Sequence, residues 1–223
     1  MIILIRLCGF LFLLIMFLNI PMGVFGKRMV EIGNYDSDAW LQNVNKNPNK
    51  YKISILLALI EHALVITLTI MLFIVFSSYN IILGIVWVPF RMGEGLVQIY
   101  DEKNYWKLLN IAIQHSVTSG VEKKSLSDLS RNILQSIKYR YTFVGLLWAI
   151  GTLAFSILLV TYEVVPPIIG WLGIVASISL GFCDGIEIVK PNLKHKFEVL
   201  TAIGGLSAII FEIILGGWLL FFA

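Results

Sequence analysis

Six apolar stretches, each about as long as a helix that crosses a bilayer, constrain the fold of this 223-residue chain more than any other feature. They are Leu7–Val24, Ile53–Val75, Ile81–Ile99, Tyr141–Thr161, Ile168–Ile188 and Val199–Phe222. The chain is 58% hydrophobic and 14% charged, and no water-soluble domain of this size buries so much apolar surface. The sequence therefore predicts an all-α, multi-pass protein of the cell membrane with six transmembrane helices.

No loop between these stretches is long enough for a second domain, so residues 1–223 are predicted to form one six-helix bundle. The longest connection is the central loop, 100–140. Within it, apolar residues recur at helical spacing from Tyr105 to Ile113 and again from Leu126 to Ile137. We predict interfacial amphipathic helices here, the first lying along the membrane surface and the second running directly into the fourth span.

The positive charges lie mostly on one side of the predicted bundle. With six spans, Lys27–Lys52, Asp101–Arg140 and Val189–Glu198 share that side and hold 15 of the 17 Lys and Arg residues. Cytoplasmic loops carry an excess of Lys and Arg in membrane proteins. The charge bias therefore predicts that both termini lie outside the cytoplasm.

Ionisable residues within the apolar stretches are the candidate functional site. Arg91 and Glu94 lie near the centre of the third stretch, and Glu212 lies mid-way along the last. Such groups are costly in hydrocarbon and survive where they face protein or water. Arg91 and Glu94 are one helical turn apart, close enough to pair. Glu61 in the second stretch and Asp184 in the fifth complete the predicted polar core.

This predicted core holds four carboxylates around one arginine. One guanidinium satisfies at most two carboxylates with good geometry, so we expect at least one remaining acid to be protonated near neutral pH. A protonated buried acid would serve a proton-coupled carrier. It would equally serve as a hydrogen-bond donor in a structural network, and the sequence leaves both alternatives open.

Enzyme and cofactor signatures do not fit the sequence. Gly181-Phe182-Cys183-Asp184 differs from the Gly-x-Gly-Asp motif of intramembrane aspartyl proteases, and a second intramembrane Asp is missing. The three histidines are scattered without metal-ligand spacing, and there is no phosphate-binding glycine loop. We therefore predict no enzymatic activity and no cofactor. Basic residues confined to short membrane loops also give no indication of nucleic-acid binding.

Several motifs, taken in order, resemble a family of integral membrane proteins known as domain of unknown function 4386. They are Arg6-Leu7-Cys8-Gly9-Phe10-Leu11, Phe90-Arg91-x-x-Glu94, Pro167-Ile168-Ile169-Gly170, and Glu212 followed by Trp218-Leu219-Leu220. The resemblance implies a six-span fold, and it marks Arg91, Glu94 and Glu212 as the polar positions of the family. It implies no activity.

The resemblance bears on orientation as well. Members of this family usually carry basic residues in the second and fourth loops and near the termini. This distribution implies that their termini lie in the cytoplasm. Here those two loops are Ser77-Ser78-Tyr79-Asn80 and Glu163-Val164-Val165-Pro166-Pro167, without a basic residue. Charge bias and resemblance therefore point to opposite orientations, and both stay open.

Two functions follow from these observations. The leading hypothesis is a non-enzymatic structural or accessory subunit of a larger membrane assembly, with the lipid bilayer and other membrane protein subunits as its partners. The alternative is a small carrier or binding protein for a proton, a small solute or a lipid, using the intramembrane Arg/Glu cluster. A dry, fully paired cluster favours the first, and a cavity that connects Arg91 to a membrane surface favours the second.

Overall fold

The computed structural model of the chain describes residues 1–24 and 37–222. The helices are α1 (Ile2–Val24), α2 (Ser37–Lys46), α3 (Pro48–Phe76), α4 (Ile81–Val117), α5 (Gly120–Thr161), α6 (Pro167–Val189) and α7 (Glu198–Phe221), with a 3-10 helix at Pro191–Phe197. All the secondary structure in these residues is helical. Six of the helices, all except α2, are long and apolar enough to cross a membrane. The predicted all-α fold with six spans is confirmed, and the protein is a multi-pass membrane protein.

The central residues 100–140 do not form a loop. Residues 100–117 complete α4, residues 120–140 begin α5, and Thr118 and Ser119 alone connect the two helices. The second amphipathic segment runs directly into the fourth span, as predicted. The first is helical, as predicted, and continues α4 without a break. Residues 96–117 contain neither Gly nor Pro, so nothing in the sequence ends α4 after its apolar part. Whether this segment lies at the membrane surface stays a prediction.

Helices α4 and α5 are much longer than a bilayer requires. They have 37 and 42 residues, and a rise of about 1.5 Å per residue makes each longer than roughly 50 Å. The hydrocarbon core is only about 30 Å thick. Their sequences therefore combine an apolar spanning part with a polar, amphipathic part.

The chain groups into two compact units by its internal contacts, and the single six-helix bundle stays a prediction. Unit 1 comprises Met1–Phe17, Ala63–Leu96 and Thr142–Ala223, and unit 2 comprises Leu18–His62 and Val97–Tyr141. Helices α3, α4 and α5 each contribute residues to both.

Unit 1 has an apolar core that runs through all its helices. Trp87 stacks on Phe155 with ring centroids 4.6 Å apart, among buried leucines, valines and phenylalanines. Glycines let helices approach closely in this core. A Cβ atom at Gly9 of α1 would overlap the backbone nitrogen of Leu220, and one at Gly216 of α7 would lie 2.9 Å from the Cβ of Phe12.

Unit 2 has an apolar core of its own. Its buried members come from α2, α3, α4 and α5, and they are Trp40, Leu41, Val44, Tyr51, Ile55, Tyr105, Leu108, Leu109, Ile111, Ala112, Leu134 and Ile137. The ring of Trp40 meets the ring of Tyr51 edge to face at 5.5 Å. The amphipathic stripes of the central segment thus pack against protein in this unit.

Candidate functional site

Arg91 and Glu94 form a buried ion pair on α4 in unit 1. Their exposed fractions are 9% and 6%, and Arg91 Nη1 lies 2.7 Å from Glu94 Oε2. These two atoms are close, yet they do not have the angles of a hydrogen bond. The attraction between them is therefore mainly Coulombic, and burial strengthens it relative to water.

A glycine on α5 provides the space for the arginine side chain. A Cβ atom at Gly151 would come within 2.8 Å of Arg91 Cγ and 3.1 Å of its Cδ. The stem of Arg91 therefore lies directly on the backbone of α5. This contact fixes the course of the side chain toward the interior of unit 1.

Arg91 and Glu212 line the same small cavity. The other residues around it are Phe12, Leu68, Thr69, Leu72, Trp87, Thr152, Phe155 and Phe211. The volume of the cavity is about 20 Å³. That is enough for about one water molecule, for which the charged groups and the two threonine hydroxyls offer partners.

Glu212 also has a direct partner across the helix interface. Nε1 of Trp148 on α5 donates a hydrogen bond to Glu212 Oε1 over 3.3 Å. The carboxylate of α7 is thereby tied to α5, the helix that also contacts the stem of Arg91. The structure thus places Arg91, Glu94 and Glu212 in one unit, around or beside one cavity.

The other two predicted residues lie elsewhere. Asp184 is half-buried on α6, and its carboxylate lies against the backbone of Gly145 on α5. Glu61 belongs to unit 2, where its Oε2 lies 2.5 Å from Nδ1 of His62. Adjacent residues on a helix lie about 100° apart, so they cannot both point directly inward. Both Glu61 and His62 are nevertheless buried, at 7% and 6% exposure.

Sequence reasoning missed Glu102, which was assigned to the central loop. It is 4% exposed, and its Oε1 lies 3.1 Å from Nε2 of His62. Its position in an uninterrupted helical pattern was the signal that could have placed it in α4.

A second group in unit 2 contains the residue types of a serine hydrolase. His115 Nε2 lies 3.1 Å from Ser127 Oγ and 3.4 Å from Asp38 Oδ1, and Ser127 Oγ also donates to Asp38. In a catalytic triad the aspartate binds the ring nitrogen opposite to the serine. Here the same nitrogen faces both, so this group joins α2 to α4 and α5 and lacks the orientation that activates a nucleophile.

The comparison with protein families gives the same family as the sequence motifs, one of which contains the Arg91–Glu94 ion pair. The family model described as "Domain of unknown function (DUF4386)" matches residues 7–223. The chain belongs to the DUF4386 family. No curated protein and no solved structure matches it. Because the DUF4386 description gives no activity, the function of the polar core has to be argued from its geometry.

Proposed function

We propose that this DUF4386 protein is a non-enzymatic integral protein of the cell membrane that acts as a structural or accessory subunit of a larger membrane assembly. One observation carries the proposal. The cavity beside the buried ion pair has a volume of about 20 Å³. A cavity of that size takes about one water molecule. The polar core is therefore suited to holding helices together and too small for a solute or a lipid.

The contacts of the polar core support a stabilising role. Arg91 pairs with Glu94 on α4 and lies on Gly151 of α5, while Glu212 of α7 accepts from Trp148 of α5. These polar contacts link three helices of unit 1. Helices in lipid gain little from the hydrophobic effect, so close packing and interhelical polar contacts stabilise their arrangement.

The distribution of glycines supports a partner in the membrane. At several glycines of unit 1, such as Gly9 and Gly216, atoms of a neighbouring helix occupy the space that a side chain would take. Gly185 on α6 and Gly205 and Gly217 on α7 differ, since a Cβ atom there would meet nothing within 4 Å. Small residues at an open helix surface let another helix approach closely. We assign these positions to contact with a neighbouring subunit.

The alternative function is transport of a proton. Arg91 and Glu212 face one cavity with room for a water molecule, and a water between two ionisable groups can pass a proton. Transport of a small solute or a lipid would need a larger space than this one.

Extraction from native membranes tests the accessory role. The tagged full-length protein is taken up in lipid nanodiscs without detergent, and we expect one partner at fixed stoichiometry. Gly205→Leu fills an open position, so it should release the partner without lowering the melting temperature. Ile203→Leu, at an exposed position of the same helix, is the matched control and should keep the partner.

Two results would count against the accessory role. A chain that is extracted alone contradicts the accessory role. Proton flux into vesicles that contain only the purified protein, abolished by Glu212→Gln, would support the carrier instead.

A further inference from the structure

Three titratable side chains of unit 2 meet in a buried cluster, Glu61–His62–Glu102. Glu61 and His62 come from α3, and Glu102 comes from α4. Nδ1 of His62 lies 2.5 Å from Glu61 Oε2, and Nε2 lies 3.1 Å from Glu102 Oε1. All three residues are less than 9% exposed. Each ring nitrogen therefore faces its own carboxylate in a protected environment.

The number of hydrogen atoms available to these contacts points to an extra proton in this cluster. A neutral imidazole carries one N–H and one bare nitrogen, and an ionised carboxylate only accepts. Nε2 has the geometry of a hydrogen bond with Glu102, whereas Nδ1 and Glu61 Oε2 are close without hydrogen-bond angles. A neutral ring between two ionised carboxylates would leave a bare nitrogen close to a negatively charged oxygen at one of the two contacts. At 2.5 Å or 3.1 Å such a contact is repulsive, and a second proton on the ring or on one carboxyl group would relieve it.

The surroundings of the cluster point to a proton rather than a metal ion. Within the described residues, no group of three His, Cys, Asp or Glu side chains is arranged to hold a metal. The neighbouring acid, Asp101, accepts a hydrogen bond from Arg140 Nε at 2.6 Å, and Lys103 lies over the ring of Tyr100 at 3.4 Å. These two cations of α4 and α5 are thus engaged by other groups beside the cluster.

We propose that Glu61, His62 and Glu102 form a proton-binding site, in which the two carboxylates share one histidine and hold one proton beyond that of the neutral ring. With a protonated ring and two ionised carboxylates, the cluster carries one net negative charge. This site is separate from the Arg91 polar core and does not depend on the accessory role. It gives the protein a buried acid–base group at which a proton can be taken up or released.

Nitrogen NMR of the whole protein tests this proton count. The full-length chain, labelled with ¹⁵N-histidine, is placed in lipid nanodiscs at pH 7.5. His115→Gln and His195→Gln remove the other two histidines in turn and assign the His62 signals without altering the cluster. We expect both ring nitrogens of His62 to appear as N–H. If one is bare, the proton lies on a carboxyl group.

If one nitrogen of His62 is bare, infrared absorption tests whether a carboxyl group carries the proton. The carbonyl band of a protonated carboxyl group should be present in the wild type and disappear in Glu61→Gln or Glu102→Gln. Glu122→Gln, at an exposed position of α5, should leave it unchanged. If Glu102→Gln does not fold, Glu102→Asp keeps the carboxyl group and should shift the band. One bare nitrogen on His62 together with a spectrum that neither substitution changes would overturn the proposal.

Discussion

Replacing Arg91 by alanine should destabilise the protein strongly. The guanidinium is 9% exposed and lies 2.7 Å from the carboxylate of Glu94, which is 6% exposed. Its removal leaves that carboxylate buried without its cation. Breaking a buried pair from one side costs about 3–5 kcal/mol. The lost stem also empties space against Gly151, so the cost should lie in the upper part of this range.

The expected change can be read as a melting temperature. For a chain of this size, 1 kcal/mol corresponds to roughly 3 °C. Arg91→Ala should therefore lower the melting temperature of the detergent-solubilised protein by about 12 to 15 °C. Lys107→Ala, at an exposed position of the same helix, is the control and should change stability by less than about 0.5 kcal/mol.

A double substitution separates the ion pair from simple loss of packing. In Arg91→Ala combined with Glu94→Ala no charge is left behind, so this variant should melt higher than Arg91→Ala alone. Residues in direct contact show coupling of about 0.5–3 kcal/mol. Equal melting of Arg91→Ala and Lys107→Ala, or strictly additive losses in the double variant, would refute the reasoning.

Further predictions concern helix packing and topology. Gly9→Ala should lower the melting temperature, because the new Cβ overlaps the backbone of α7, whereas Gly205→Ala meets open space and should be neutral or stabilising by up to about 1 kcal/mol. Gly151→Ala should weaken the polar core, because the new Cβ displaces the stem of Arg91. The coupling energy between Arg91 and Glu94, measured with the double variant, should then be smaller. Cysteines at Lys107 and Lys46 should react with a membrane-impermeant thiol reagent from the same side, and reaction from opposite sides would contradict the six-span topology.

The parts of the fold that rest on local patterns could be predicted. Hydropathy and length are properties of single segments, so the six spans followed directly. The contact of Arg91 with Glu94 follows from helical geometry alone, since residues three apart lie on one face. Glu212, which the sequence marked as an ionisable residue within an apolar stretch, lines the same cavity as Arg91.

The parts that depend on contacts between distant segments could not be predicted. Glu102 meets His62 across 40 residues of sequence, and no local pattern brings them together. The amphipathic stretch that begins at Tyr105 has the same periodicity whether it packs on lipid headgroups or on protein. Its partners in the core of unit 2, which include Trp40 and Leu41 from the short helix α2, show that it packs on protein.

The packing of unit 1 bears on the choice between accessory subunit and solute carrier. A carrier must open its site by moving helices against one another. Here the backbones of α1 and α7 lie close together, since a Cβ atom at Gly9 would overlap the backbone nitrogen of Leu220 and one at Gly216 would lie 3.2 Å from the Gly9 oxygen. Both helices also line the cavity, through Phe12 and Glu212. Enlarging that cavity for a solute would separate two helices whose backbones are in close contact. This cost favours a role in which the polar core stays closed.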